Sequence, residues 1–371
     1  MRKRRFVVRR KGAALFRIGL LFGAVLLLCG AVYGVIRLVR AGGQRMDAKQ
    51  LPFTADTNYT FTGKGFLYMY GDRLYYEDLA DTKKSASYQV STGDIQLAAS
   101  PTLSVLYHAS AVQIIGGGEP LTIGGSVQDV ACGTDHVAVL REDPSGTSSL
   151  LIYDKAGAQS DQMDFEPGAL LDFGFAQTGD ETMWTLELSV AGSLPVSTLT
   201  TYNLSTNHTT GVMSVQNQLV DGVIFTDNSI FLSCTTSLIR FNRMGITEAY
   251  RLLIYGWELY DVSTAGGSPV VLLRKRGDTG SEGTVKLYTL PEGGVASAAV
   301  RDVQLPAGTT AAFLAGGKLY ACTKEEMFAY SSAGKLLSTS LLPRATDSVA
   351  KLSESYMLLR SGNGLYVAPI K

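Results

Sequence analysis

An all-β ring, a β-propeller of eight four-stranded blades behind one membrane-spanning helix, is the fold that three features of the sequence predict. One long apolar run lies near the N terminus. Beyond it, short runs rich in Tyr, Val, Thr and Leu are broken by Gly, Asp, Asn and Ser, without helical periodicity. Within these runs an aromatic-to-glycine pattern recurs about every 41 residues, inside the ~40–45 residue range of a propeller blade.

The apolar run, Ile18 to Ile36, contains nineteen residues and no charge. At 1.5 Å per residue a helix of that length nearly crosses a ~30 Å hydrocarbon core, with Arg17 and Arg37 placed to snorkel at its ends. A cleaved signal peptide has a shorter apolar region, of ~7–15 residues, ending in small residues, whereas this run exits into Arg37-Leu38-Val39-Arg40. The expectation is an uncleaved anchor. Before it stand Arg2, Lys3, Arg4, Arg5, Arg9, Arg10, Lys11 and Arg17, which place the N terminus in the cytoplasm and against anionic lipid headgroups. The predicted organisation is a basic tail over 1–17, a transmembrane helix over 18–36, a linker over 37–50 and an extracytoplasmic propeller over 51–371.

The repeat is clearest in Leu-Ile-Tyr153-Asp-Lys-Ala-Gly157, Ile-Arg-Phe241-Asn-Arg-Met-Gly245 and Phe-Ala-Tyr330-Ser-Ser-Ala-Gly334. Looser copies run from Tyr76 to Asp81, Tyr202 to Asn207 and Tyr288 to Gly293, and Tyr366 belongs to a truncated last copy. One copy replaces the aromatic with Ile114-Ile115-Gly116. Thr309–Ala315, Lys318–Thr323, Glu326–Ser331 and Lys335–Leu342 read as the four strands of one blade, inner to outer. The last repeat, from Ser348, has room for three strands, so Leu51–Thr54 is expected to supply the fourth and close the ring. Closure removes the exposed sheet edges of a long all-β chain. Seven blades is the alternative count.

The apolar-Tyr-[Asp/Asn/Ser]-x-x-Gly pattern followed by a polar strand resembles the repeat of quinoprotein-like (PQQ-like, WD40-like) β-propellers over residues 51–371. With its basic tail and single span, the chain looks like an uncharacterised family of membrane-anchored bacterial propeller proteins without assigned function. It departs from the quinoprotein enzymes in having only Trp184 and Trp257 and no vicinal cysteine pair. The resemblance therefore implies the fold and not a quinone site.

Charge excludes one class of partner. Residues 1–45 hold eleven of the 33 basic residues and no acid, leaving 22 basic against 33 acidic residues in 46–371, a net of −11. A domain this acidic repels phosphate backbones, so nucleic acid is not expected as a partner. Cys132, Cys234 and Cys322 are scattered and odd in number, without CxxC spacing, which opposes a zinc site and a disulfide framework. His108, His136 and His208 have no His or Cys at ligand spacing. No G-x-S-x-G elbow, Walker loop, zinc-protease helix or EF-hand loop occurs.

One pattern stands above this background. Aspartate recurs near the start of the inner strand at Asp94, Asp129, Asp172, Asp221 and Asp261. Inner strands line a propeller's channel, so these carboxylates are candidates for a cation-attracting mouth that takes Ca²⁺ or a basic side chain of a partner. The alternative is that each Asp caps its own loop. The expected function is a binding or scaffolding module, without catalysis or an obligate cofactor, held at the membrane for a protein or cell-envelope partner. An enzyme of unrecognised type on the same scaffold is the rival.

Overall fold

A computed structural model describes residues 45–90, 94–176, 181–243, 247–266, 268–278, 283–291 and 299–370. The predicted transmembrane helix and the basic residues before it lie outside them. No helix among the described residues is long and apolar enough to cross a membrane.

The described residues form eight four-stranded antiparallel sheets. In seven of them the strands follow in sequence order from inner to outer edge. The inner strands are Tyr59–Phe61, Gln96–Ala99, Ser126–Cys132, Leu170–Phe175, Val220–Phe225, Trp257–Ser263, Ala311–Ala315 and Ser348–Lys351, in blades 1 to 8. Inner strands of neighbouring blades touch, as blade 6 touches blade 7 and blade 3 touches blades 2 and 4. The expected strands of blade 7 are found as Ala311–Ala315, Lys318–Cys322, Glu326–Tyr330 and Leu336–Leu341.

Blade 8 is completed from the other end of the chain. Its order is Lys49–Thr54 beside Gly364–Pro369, then Tyr356–Ser361, then Ser348–Lys351. The expected closure by Leu51–Thr54 is therefore present, with two residues added in front. Pro52 fits because this strand is outermost and needs no donor on its free side. Leu51 and Phe53 point inward and are buried, and Phe53 packs on Tyr59, Phe66 and Tyr68 of blade 1. Just before it, Met46 N–H donates to Leu341 O at 2.9 Å, so the chain reaches the ring beside the outer strand of blade 7.

Packing explains the composition of the strands. The buried apolar side chains fall into eight clusters among the described residues, one at each blade–blade junction. Middle strands are covered on both faces, and every residue of Ser229–Cys234 is buried. Outer strands such as Gln159–Phe165 keep an exposed face and are polar. The repeat aromatics Tyr153, Phe241, Tyr288, Tyr330 and Tyr366 are buried in these junctions. At Tyr153, Tyr202, Phe241 and Tyr330 the register to the outer strand shifts by a bulge. The motif thus marks where the third strand ends and turns, with Gly157 and Gly334 supplying the positive φ of the turn (90° and 77°).

Candidate functional site

Four consecutive blades share a defect in the inner strand. In blades 3 to 6 the pairing of first and second strands slips between Val127 and Asp129, Leu170 and Asp172, Val220 and Gly222, and Leu259 and Asp261. Blades 1, 2, 7 and 8 show continuous register at that junction. A bulge places two successive residues opposite one and breaks strict alternation. Gln128 and Asp129 are accordingly both exposed between buried Val127 and Val130, and Leu171 and Asp172 are both exposed before buried Phe173. Half of the channel mouth is built differently from the other half.

The predicted aspartates divide along the same line. Asp129, Asp172 and Asp261 follow the bulge in register, and each accepts the N–H of its own next residue at Oδ1. The donors are Val130 (2.8 Å), Phe173 (2.8 Å) and Val262 (2.7 Å). This is local capping of a bulge. Asp221 is the bulged residue itself, one position earlier, with Gly222 in the register place. It accepts Ser233 Oγ at 2.6 Å and lies 3.6 Å from Arg276 Nη2. Asp94 is exposed just ahead of the inner strand of blade 2. The five positions do not form an even ring.

Asp261 is already neutralised. Lys351 Nζ, from blade 8, lies 3.3 and 3.4 Å from its two oxygens and donates to Val262 O at 2.7 Å. Lys351 also pairs with Glu354 Oε1 at 3.1 Å. Glu354 Oε2 accepts Ser263 Oγ (2.7 Å) and Gly316 N–H (2.6 Å), while Leu314 N–H donates to Asp261 Oδ2 (2.7 Å). The network ties blades 6 and 8 across blade 7, whose inner strand is buried throughout. Ser263, Gly316, Lys351 and Glu354 stand at the ends of inner strands or in the loops that follow them, so the network lies away from the face on which the inner strands begin.

Asp129 and Asp172 are different. Among the described residues neither takes part in an ion pair. Asp172 still touches solvent, yet burial by the surrounding protein pushes its carboxyl above the ordinary aspartate range, the Phe173 N–H pulls it back, and the Asp129 charge raises it again. The two carboxylates hold equivalent bulge positions on the touching inner strands of adjacent blades. No group of three or more His, Cys, Asp or Glu that could hold a metal occurs among the described residues.

Exposed apolar side chains gather on the same face. Strands alternate in direction, so loops into inner strands and loops joining second to third strands share one face, here called upper. Leu171, Leu219, Leu253 and Tyr255 (67% exposed) lie on or beside such loops in blades 4 to 6, Tyr260 is the bulged residue of blade 6, and Tyr70 (73% exposed) flanks such a loop in blade 1. Val190 (70% exposed) and Leu194 flank the tip of a tall hairpin of blade 4, Thr182–Ala191 with Leu194–Asn203. Around Tyr260 the charges are paired, with Arg274 Nε 2.6 Å from Glu258 Oε1 and its guanidinium 4.8 Å above the Tyr260 ring. The sequence reading missed this patch. Its one local signal was the long alternating run on both sides of Gly192-Ser193.

The lower face carries a contact invisible in the sequence. Glu181 of blade 4 accepts the N–H groups of Asp135 (2.8 Å) and His136 (3.1 Å) at Oε1, and its Oε2 lies 2.6 Å from His136 Nδ1 in blade 3. His108 Nδ1 accepts only its own turn, from Ser110 N–H at 3.4 Å. Cys132, Cys234 and Cys322 are free thiols, and burial pushes each up to about 12, so they serve as packing groups.

No protein-family model matches the sequence, and no curated protein matches it. Solved structures do match. The WD40 domain of SCAP from fission yeast has a TM-score of 0.56 at 10% identity, covering 87% of this chain and 98% of that one. The computationally designed Ika8 protein has a TM-score of 0.52 at 12% identity, covering 89% of this chain and 100% of that one. A structure described as the eukaryotic initiation factor has a TM-score of 0.51 at 11% identity, covering 81% and 91%. At such identities the likeness concerns architecture alone. The chain has a WD40-like, eight-bladed β-propeller fold.

Proposed function

We propose that this protein is a binding module, anchored in the cell membrane by residues 18–36 and presenting its propeller outside the cytoplasm, with the upper face of blades 3 to 6 as its binding surface. The observation that carries this reading is the upper face of blades 4 to 6, where exposed apolar side chains gather at the starts of inner strands that share a bulge and that, in blades 3 and 4, carry carboxylates outside any ion pair of the described residues. Bulges re-aim side chains and are enriched beside functional sites, and apolar patches on a soluble face mark interaction surfaces. The chain joins the ring at the rim of blades 7 and 8, so an anchor there leaves the opposite half free.

Two measurements test the reading. Protease added to cells with a permeable wall should release or cut the propeller and spare a tag fused at Met1; protection of the propeller would overturn the topology. A photo-crosslinking residue at Tyr255 should join a partner protein in living cells, and the same group at Asp135 on the lower face should not. Equal crosslinking from both faces, or none from Tyr255, would reject the assigned surface.

A further inference from the structure

Ring closure leaves one open edge on each blade, its outer strand, and an unprotected edge invites pairing with another chain. Seven of the eight edges carry a safeguard. The outer strands of blades 1 and 2, Ala86–Gln89 and Leu121–Thr122, are short. Asp161 and Asp164 charge the edge of blade 3, Glu248 and Arg251 that of blade 5, and Arg301 and Asp302 that of blade 6. Blade 8 has Lys49 and Pro52. On blade 7 the incoming chain joins the end of Leu336–Leu341 through Arg45 and Met46.

The outer strand of blade 4, His208–Gln216, is the exception. It runs 9 residues, more than any other outer strand among the described residues, without Asp, Glu, Lys, Arg or Pro. Asn217 N–H donates to Pro195 O at 2.8 Å, which continues the register Ser197↔Val215 and Leu199↔Met213. Met213, Val215 and Asn217 therefore bond inward, because bonded pairs alternate along an antiparallel ladder. Val212, Ser214 and Gln216 direct their N–H and C=O outward, and among the described residues no strand lies on that side. Met213 and Val215 are buried in the junction with blade 5, which fixes the strand in place, while Val212, Ser214 and Gln216 are exposed.

We infer that this edge pairs with the same edge of a second copy of the chain, making the protein a homodimer. A two-fold interface requires a surface complementary to itself. Run antiparallel about an axis at Ser214, the outward residues match: Ser214 meets Ser214, and Val212 meets Gln216. No charge is set against its own kind. Each outward residue gives one donor and one acceptor, so about six backbone bonds join the two sheets. A second copy brings an edge already held as a strand, whereas a free peptide must be ordered first. The net charge of −11 on 46–371 opposes association between copies, and an uncharged edge is where it opposes least. The inference is independent of the upper-face surface and adds a partner at the rim.

The test is sedimentation velocity of the full-length chain in detergent, across a dilution series. A dimer is expected, and it should tighten as salt shortens the screening length from ~30 Å at 0.01 M to ~8 Å at 0.15 M. Ser214→Lys sets like charges face to face at the axis and should raise the dimer dissociation constant at least about tenfold. Mixing Ser214→Lys with Ser214→Glu should restore a mixed dimer, although each alone stays monomeric. Ser214 is exposed, so both variants should keep the wild-type melting temperature. Ser338→Lys, on the outer strand of blade 7, should dimerise as wild type does. In the dimer the amides of Val212, Ser214 and Gln216 should exchange more slowly than in Ser214→Lys, with Met213 and Val215 unchanged. The inference is overturned if the wild-type chain is monomeric, if the outward amides gain no protection, or if Ser214→Lys dimerises as wild type does. That last result would place the association in the membrane segment or on the upper face. Crosslinking at Tyr255 reads the upper face separately, so the two readings can fail independently.

Discussion

Single carboxylates in this ring carry opposite signs of stability. Asp78 accepts the N–H groups of Asp81 (2.8 Å) and Ala80 (2.9 Å) and the Tyr76 hydroxyl, so the Asp81 N–H and these other donors hold its carboxyl below the ordinary range. Its contribution is present above the unfolded carboxylate value near ~4 and is lost as pH falls through the depressed folded value. Asp172 is raised by burial and by Asp129, so its charged form is disfavoured in the fold. Asp172→Asn should therefore raise the melting temperature at pH 7, and the gain should shrink as pH falls through the raised folded value and vanish below the unfolded carboxylate value near ~4. A loss of stability at pH 7 would show that its charge is satisfied. A residue that costs stability at a mouth is expected where function retains it. Lys351 gives the converse case. Lys351→Met strands Asp261 and Glu354, whose side chains are 21% and 35% exposed, and should cost about 2 kcal/mol in denaturant unfolding, less than the 3–5 kcal/mol of a fully buried pair. Adding Asp261→Asn should recover part of that loss.

At the scale of elements, the strand Lys49–Thr54 has the greatest leverage, because it joins the two ends of the ring. Phe53 is 5% exposed, and its ring centroid lies 4.5 Å from that of Tyr68 and 5.6 Å from that of Phe66. Phe53→Ala should cost about 3 kcal/mol and loosen blade 8 first, seen as faster amide exchange in Tyr356–Ser361 than in Ser229–Cys234. Uniform acceleration would mean that the closure is no weaker than the other junctions. The turn at Gly133 is a second element-level constraint. A Cβ there would overlap Glu181 Oε1 and the Phe175 ring, so Gly133→Ala should displace the blade 4 contact with His136 and cost about 1–3 kcal/mol. A thermal midpoint unchanged from wild type would show that blade 4 can yield at that point.

For the whole molecule, charge sets the response to acid. Lys155 holds Asp135 below the ordinary range, Arg251 does so for Glu248, Ser145 for Asp143 and Gln162 for Asp164. Each contributes stability above the unfolded carboxylate value and loses it below, so the melting temperature should hold a plateau near neutrality and fall once pH drops below about 4. A midpoint that rises on acidification would mean that relief of the net charge of −11 on 46–371 outweighs these contacts. The eight junction clusters are continuous around the closed ring, so one cooperative transition is expected rather than blade-by-blade melting.

The repeat, the strand order within a blade and the closing strand were legible in the sequence because each has a local signature. An aromatic, a bulge and a positive-φ glycine lie within five residues, as at Tyr153 to Gly157, and hairpins join consecutive strands. The aspartate phase was also legible, but its meaning was not. A bulge of one residue gives Asp129, Asp172 and Asp261 a shared place and leaves Asp221 outside it, and no residue type announces a bulge in advance. Which carboxylates are neutralised depends on partners far away in the chain: Lys351 lies 90 residues from Asp261, and Glu181 lies 45 from His136. Such pairs arise from ring closure and the packing of neighbouring blades. The sequence by itself determined the blade, because periodicity and turns are local, and left the number of blades at eight or seven. Only the tertiary structure decided that eight blades close the ring and which inner-strand carboxylates are paired, because cross-blade contacts form between residues whose separation in sequence carries no pattern.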